Sequence, residues 1–144
     1  METDLYNNFT TLKATLGDGV LQITIDDFSL NLNVVDYQRT NDLLHLIDLL
    51  KYDQQVKVVV FHSTNPDFFL VKGYMNPTSE DTIDPLHFQL WAKVLMGLAI
   101  LPQTKVAIVE DKVKDVGNGF LLACDLTIHC SMAGRELLSI NLQT

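Results

Sequence analysis

The sequence predicts an α/β domain, and three observations carry that prediction. Short runs rich in β-branched residues recur along the chain, among them Val56-Lys-Val-Val-Val-Phe61 and Lys105-Val-Ala-Ile-Val109. Between them lie longer segments whose apolar residues fall at helical spacing. Glycine and proline punctuate the joins, and strands that alternate with crossover helices mean an α/β architecture.

The elements follow in order. Thr10-Thr-Leu-Lys-Ala-Thr15 and Val20-Leu-Gln-Ile-Thr-Ile25 are two strands, and Gly17-Asp-Gly19 between them marks a hairpin. Residues 26–33 alternate weakly and read as a loop with a short extended piece. From Asp36 the period changes: Leu43, Leu46, Ile47 and Leu50 share one face of an amphipathic helix over 36–52. Residues 56–61 form a buried strand, followed by an irregular stretch from Ser63 to Thr82 that contains Pro66, Gly73 and Pro77. Loops of that length in a folded domain tend to be functional. Asp84-Pro85 opens the next helix, a capping carboxylate before a proline suited to the first helical position. Phe88, Trp91, Ala92, Leu95, Leu98 and Ala99 are its core positions, and Leu101-Pro102 ends it. A strand over 105–109 leads to a polar, glycine-punctuated stretch, Glu110 to Gly119. A short apolar helix from Phe120 to Cys124, then Asp125, then a strand over 126–130 complete the pattern.

Composition bounds the function. The 144 residues, 47% apolar and 19% charged, suffice for one domain and exclude intrinsic disorder. The charged share lies below the ~25% common in folded domains, so part of the apolar surface is expected to be covered by a partner. A net charge of −8 argues against nucleic-acid and anionic-membrane binding, which need a basic field. The longest apolar run, Val94 to Leu101, is far short of the ~20 residues of a membrane span. Met1-Glu-Thr-Asp is the reverse of a secretory leader, which makes a cytoplasmic protein the expectation. Two cysteines, Cys124 and Cys130, make neither a disulfide framework nor a metal site, and nothing in the sequence points to a metal or another cofactor.

Three segments carry a resemblance to the crotonase superfamily, the enoyl-CoA hydratases and isomerases. They are Val56-Lys-Val-Val-Val-Phe-His-Ser-Thr-Asn-Pro-Asp-Phe-Phe69, Leu101-Pro-Gln-Thr-Lys-Val-Ala-Ile-Val109 and Gly119-Phe-Leu-Leu-Ala-Cys-Asp125. Gly19 to Asp26 and Leu30-Asn-Leu32 fit the same register, so the resemblance spans nearly the whole chain in the right order. It implies the ClpP/crotonase β-β-α spiral, here as a single domain over 1–144 that is incomplete at its C-terminus. It also implies an acyl-CoA ligand whose thioester carbonyl lies between two backbone N–H donors, which stabilise the oxyanion formed in reaction.

Residue by residue, the resemblance puts those donors at Val71 and Val116. Lys72, Gly73, Gly117 and Asn118 flank them as candidate substrate contacts. The departures from the family are specific. Asp115-Val116-Gly117 stands where the family has three small residues, usually glycines that let the backbone approach the thioester. The frequent catalytic glutamate falls on Gly119, and the second carboxylate of hydratases falls near Ser139, within a tail (133–144) that no longer looks like the family. No catalytic side chain is therefore assigned.

Each single residue also has a plainer reading. Lys72 suits a CoA phosphate or plain solvation; Asn118 suits a ligand or a turn. Glu110, Asp111 and Asp115 form an acidic cluster that offers a replacement acid or base, or a solvated loop face. His62 and His129 read as structural imidazoles, Cys124 and Cys130 as buried thiols, Trp91 and Phe88 as helix core, and Asp125 as satisfying backbone groups at the end of the short helix. Two functions follow: an acyl-CoA-binding protein of the crotonase type, or a catalytically silent, self-associating module. Both expect a homo-oligomer, dimer or trimer, because an incomplete spiral exposes the apolar faces of its last strands and central helix.

Overall fold

The chain opens on a hairpin fixed by two residues. β1 (Leu12–Gly17) pairs antiparallel with β2 (Val20–Ile25), leaving only Asp18 and Gly19 at the turn. Their φ angles are +54° and +79°, both positive as a type I′ loop requires. The Gly19 carbonyl accepts the N–H groups of Lys57 and Val58 at 2.7 and 3.2 Å, so the turn also seats the start of the next strand. A Cβ on Gly19 would stand 3.4 Å from the Gln55 carbonyl oxygen.

In this computed structural model residues 5–25, 32–63, 85–109, 116–130 and 138–142 are described. After the hairpin come α1 (Leu32–Tyr52), β3 (Val58–Ser63), α2 (Pro85–Ile100), β4 (Thr104–Val109), α3 (Val116–Ala123), β5 (Leu126–Cys130) and β6 (Leu138–Leu142). The strands form one sheet in the order β1-β2-β3-β4-β5-β6. β2 to β5 run parallel, and the outer pairs β1–β2 and β5–β6 are antiparallel. This is the expected α/β class.

The core lies on one face of the sheet. Leu21, Ile23, Val59, Phe61, Ala107 and Val109 point into it from the strands and are all buried. α1 answers with the predicted stripe: Leu43, Leu46, Ile47 and Leu50 are at most 3% exposed. Gly97 lets α1 and α2 close together, since a Cβ there would lie 3.1 Å from Ile47 Cγ2. On the opposite face Val60, Ile108, Leu126 and Ile128 are half-buried.

Helix ends are tied by side chains. Asp53 closes α1: its Oδ1 accepts the Gln55 N–H at 3.0 Å and its Oδ2 accepts the Tyr6 hydroxyl at 2.6 Å. Gln103 Nε2 donates to the Leu50 and Asp53 carbonyls at 2.8 and 3.2 Å, satisfying groups the last turn of α1 leaves open. Lys105, almost fully buried, does the same beyond α2 by donating from Nζ to the Leu101 and Gln103 carbonyls, each at 3.0 Å. A cation suits that position, where the helix dipole is negative.

The order of the expected elements matches the sequence reading; β1 and β3 lie two residues further along than expected, and four other differences stand out. α1 begins at Leu32, so residues 32–33 of the expected loop are helical; residues 26–31 lie outside the described set. α2 is helical over the expected span, but its inward face runs through Trp91, Val94, Leu98 and then Leu101, while Phe88 is 47% exposed and Ala99 is exposed. The helix is apolar nearly all round, so spacing alone does not choose a face. α3 starts at Val116 instead of Phe120, taking in Gly117 and Gly119 despite their low propensity. β6 was not expected; it exists through its pairing with β5, Ile128 opposite Ile140. Among the described residues no helix is long and apolar enough to cross a membrane.

Candidate functional site

The two loops expected to carry the donors leave from neighbouring strand ends. β3 and β4 are parallel with His62 opposite Ile108, so their C-terminal ends, Ser63 and Val109, lie side by side. Val71, Lys72 and Gly73 lie in the segment after β3 and fall outside the described residues. So do the acidic cluster Glu110, Asp111 and Asp115.

Val116, Gly117 and Asn118 are described as backbone, and they form the first turn of α3 and not a loop. The first N–H groups of a helix have no intrahelical acceptor. Val116 therefore brings an N–H that has no acceptor within its own helix to the start of α3, at the positive end of its dipole. An aromatic wedge holds this helix. The Phe120 ring packs edge-on against Phe61 of β3, centroids 4.9 Å apart, and stacks at 6.4 Å on Trp91 of α2. Phe61 was read in the sequence only as a strand residue; its role as the seat of α3 has no signature at the sequence level.

Gly119 has a packing role. It is half-buried, and a Cβ there would meet Leu95 Cδ1 at 3.3 Å, so the missing side chain is where α2 and α3 approach. Ser139 lies on β6 opposite His129. Asp125 serves a strand and not the helix end: its Oδ2 accepts the Lys105 backbone N–H at 2.8 Å and stands 3.3 Å from Lys105 Nζ. Its own N–H returns a bond to the Lys105 carbonyl at 2.9 Å. Cys124 is buried as expected, and burial pushes its thiol up to about 12. The Cys130 side chain lies outside what is described.

Among the described residues no group of His, Cys, Asp or Glu could hold a metal ion. Two depressions, of about 270 and 560 Å³, lie at the other pole of the sheet. Val56, Lys57 and Gln103 line the first, and Leu5, Tyr52 and Asp53 the second. Neither is near the C-terminal strand ends.

Compared by sequence, the chain matches no protein-family model and no curated protein. Compared by structure, it is similar to many solved proteins. An enoyl-CoA hydratase from Shewanella pealeana superposes with a TM-score of 0.68 at 17% identity, over 90% of this chain and 50% of its own. One from Mycobacterium avium subsp. paratuberculosis gives 0.64 at 22% identity, over 85% and 48%. One from Mycobacterium smegmatis gives 0.64 at 18% identity, over 84% and 48%. The chain spans about half the length of the solved proteins it matches. Over that half it has the crotonase fold, the fold of the solved enoyl-CoA hydratases.

Proposed function

We propose that the chain binds an acyl thioester of the acyl-CoA kind beyond the ends of β3 and β4, without hydrating it. In this reading the thioester carbonyl oxygen lies between the N–H groups of Val71 and Val116. Lys72, Gly73, Gly117 and Asn118 line the approach. One observation carries the reading: Val116 is the first residue of α3, where its N–H has no intrahelical acceptor and faces the side on which negative charge is stabilised. The similarity to solved enoyl-CoA hydratases supports the same choice of ligand. Turnover is left out because Gly119, at the position of the family's glutamate, has no carboxyl to move a proton. A cytoplasmic setting belongs to this reading, as does a homo-oligomeric state.

A second reading is favoured by the close fit of Gly119 against Leu95, which serves packing alone. There the chain is a silent, self-associating module with no ligand.

Calorimetry with acetyl-CoA and crotonyl-CoA separates the two. Saturable binding is expected, with the enone absorbance of crotonyl-CoA unchanged. Val116→Pro removes the proposed donor while keeping a residue suited to the first helical position, and should weaken binding about tenfold, the worth of one hydrogen bond. No saturable heat with either thioester defeats the binding reading and leaves the silent module.

A further inference from the structure

The last two strands carry polar residues where the rest of the sheet carries its core. On the face that bears the helices, β3 and β4 contribute Phe61, Ala107 and Val109, all buried and apolar. The register continues that face to Thr127 and His129 of β5, which pair with Ala107 and Val109. It then reaches Asn141 and Ser139 of β6, which pair with Thr127 and His129. These four positions are polar, while every alternate position on the two strands is apolar. Such polarity has a cost. Thr127 is 1% exposed, and its hydroxyl has no hydrogen-bond partner among the described residues. An apolar residue there would avoid that penalty.

The same face meets the start of α3. This helix crosses it from β4 to β5, with Phe120 and Leu121 in the core. Its last turn lies by the strand starts, where the Asp125 N–H donates to the Lys105 carbonyl. Phe120 packs on Phe61, which is in register with Ala107 and so with Thr127. From Phe120 back to Val116 the helix rises about 6 Å towards the strand ends. From Thr127 on to His129 the strand rises about 6.6 Å in the same direction. Val116 and the pair His129–Ser139 thus stand at about one height on one face.

We propose that Ser139 is an acyl acceptor and His129 its base, acting on a thioester held at Val116. Residues directly opposite in an antiparallel pair have Cβ atoms about 5 Å apart, within reach of a serine–imidazole hydrogen bond. The His129 imidazole takes the hydroxyl proton as the Ser139 oxygen attacks the thioester carbon. The carbonyl oxygen becomes an oxyanion between the N–H groups of Val71 and Val116. Its collapse breaks the C–S bond, and the leaving sulfur takes the proton from His129 to become a free thiol. An O-acyl serine remains. The step consumes one thioester per chain, hydrates no C=C bond and needs no carboxyl at Gly119. Acyl transfer to Ser139 rests on the thioester reading and adds to it the two groups that act.

Purified chain mixed with acetyl-CoA should release one equivalent of thiol, read against a blank for its own cysteines. Mass spectrometry of its peptides should find the acetyl group on Ser139. His129→Gln should slow the release about a hundredfold or more, and Ser139→Ala should abolish it. Both variants should keep the saturable heat of acetyl-CoA binding. Binding without thiol release, or acetyl found only on lysines, overturns the acyl transfer and leaves the binding reading standing. A folded Ser139→Ala that still releases thiol overturns it equally. No saturable heat with the wild type overturns both. The wild-type peptide map needs no variant, so it decides should either substitution misfold.

Discussion

Burial pushes the Cys124 thiol from 9.0 up to about 12, against the weaker opposing pull of Lys105 and with a small push from Asp125. The folded chain thus holds a proton that the unfolded chain releases from about pH 9. The stability this contributes is complete below pH 9 and is lost as pH rises towards 12. Tyr6 acts in the same direction, raised first by burial and then by its bond to Asp53. Cys124→Ala should therefore show a shallower loss of urea stability between pH 9 and 12 than the wild type, and parallel profiles would contradict the assignment. The inertness of this thiol was legible in the sequence, because an apolar helix with no neighbouring base leaves little else. Asp125 was legible only in part. Its carboxylate acts on Lys105, a partner 20 residues away that only the parallel pairing of β4 and β5 brings near. Of the proposed donors, Val116 proved to start a helix, and Val71 lies outside the described residues.

At the scale of the element, close packing at glycines sets the layer of helices. Gly97 sits where a Cβ would already press on Ile47 Cγ2 at 3.1 Å. Gly97→Val adds two further carbons to that contact and should destabilise by about 2 kcal/mol, read from the urea midpoint. A midpoint unchanged from wild type would mean that α1 and α2 separate freely. Gly97 gave no hint of this in the sequence, since a glycine inside a helix reads as a weakness and not as a contact. The same tertiary override explains α3. Val116 and Gly117 have poor helix propensity, and the wedge of Phe120 between Phe61 and Trp91 holds the helix in place. Phe88 shows the converse failure: on a helix apolar all round, spacing alone cannot tell core from surface. β6 was illegible because a five-residue edge strand draws its order from its neighbour. The hairpin was legible from Gly17-Asp-Gly19, although Gly17 pairs with Val20 inside β1 and only Asp18-Gly19 make the turn.

For the whole molecule, the homo-oligomeric state proposed above would tie stability to concentration. A higher protein concentration should then raise the thermal midpoint. A midpoint independent of concentration would count against self-association. The fold class was readable from alternating strands and helices, and the crotonase resemblance agrees with the fold of solved structures that share only 17, 18 and 22% identity with the chain. Sequence order carried that recognition, because strand content and spacing persist when individual side chains do not. One property of the sheet has a further consequence. Its strands lie side by side in the order in which they occur along the chain. Among the described strands, each one after β1 meets, as it leaves a ribosome, a partner already made. None of β2 to β6 must slip between two strands that are already paired. Assembly is therefore able to run from the first residue towards the last, with the growing edge always the newest part.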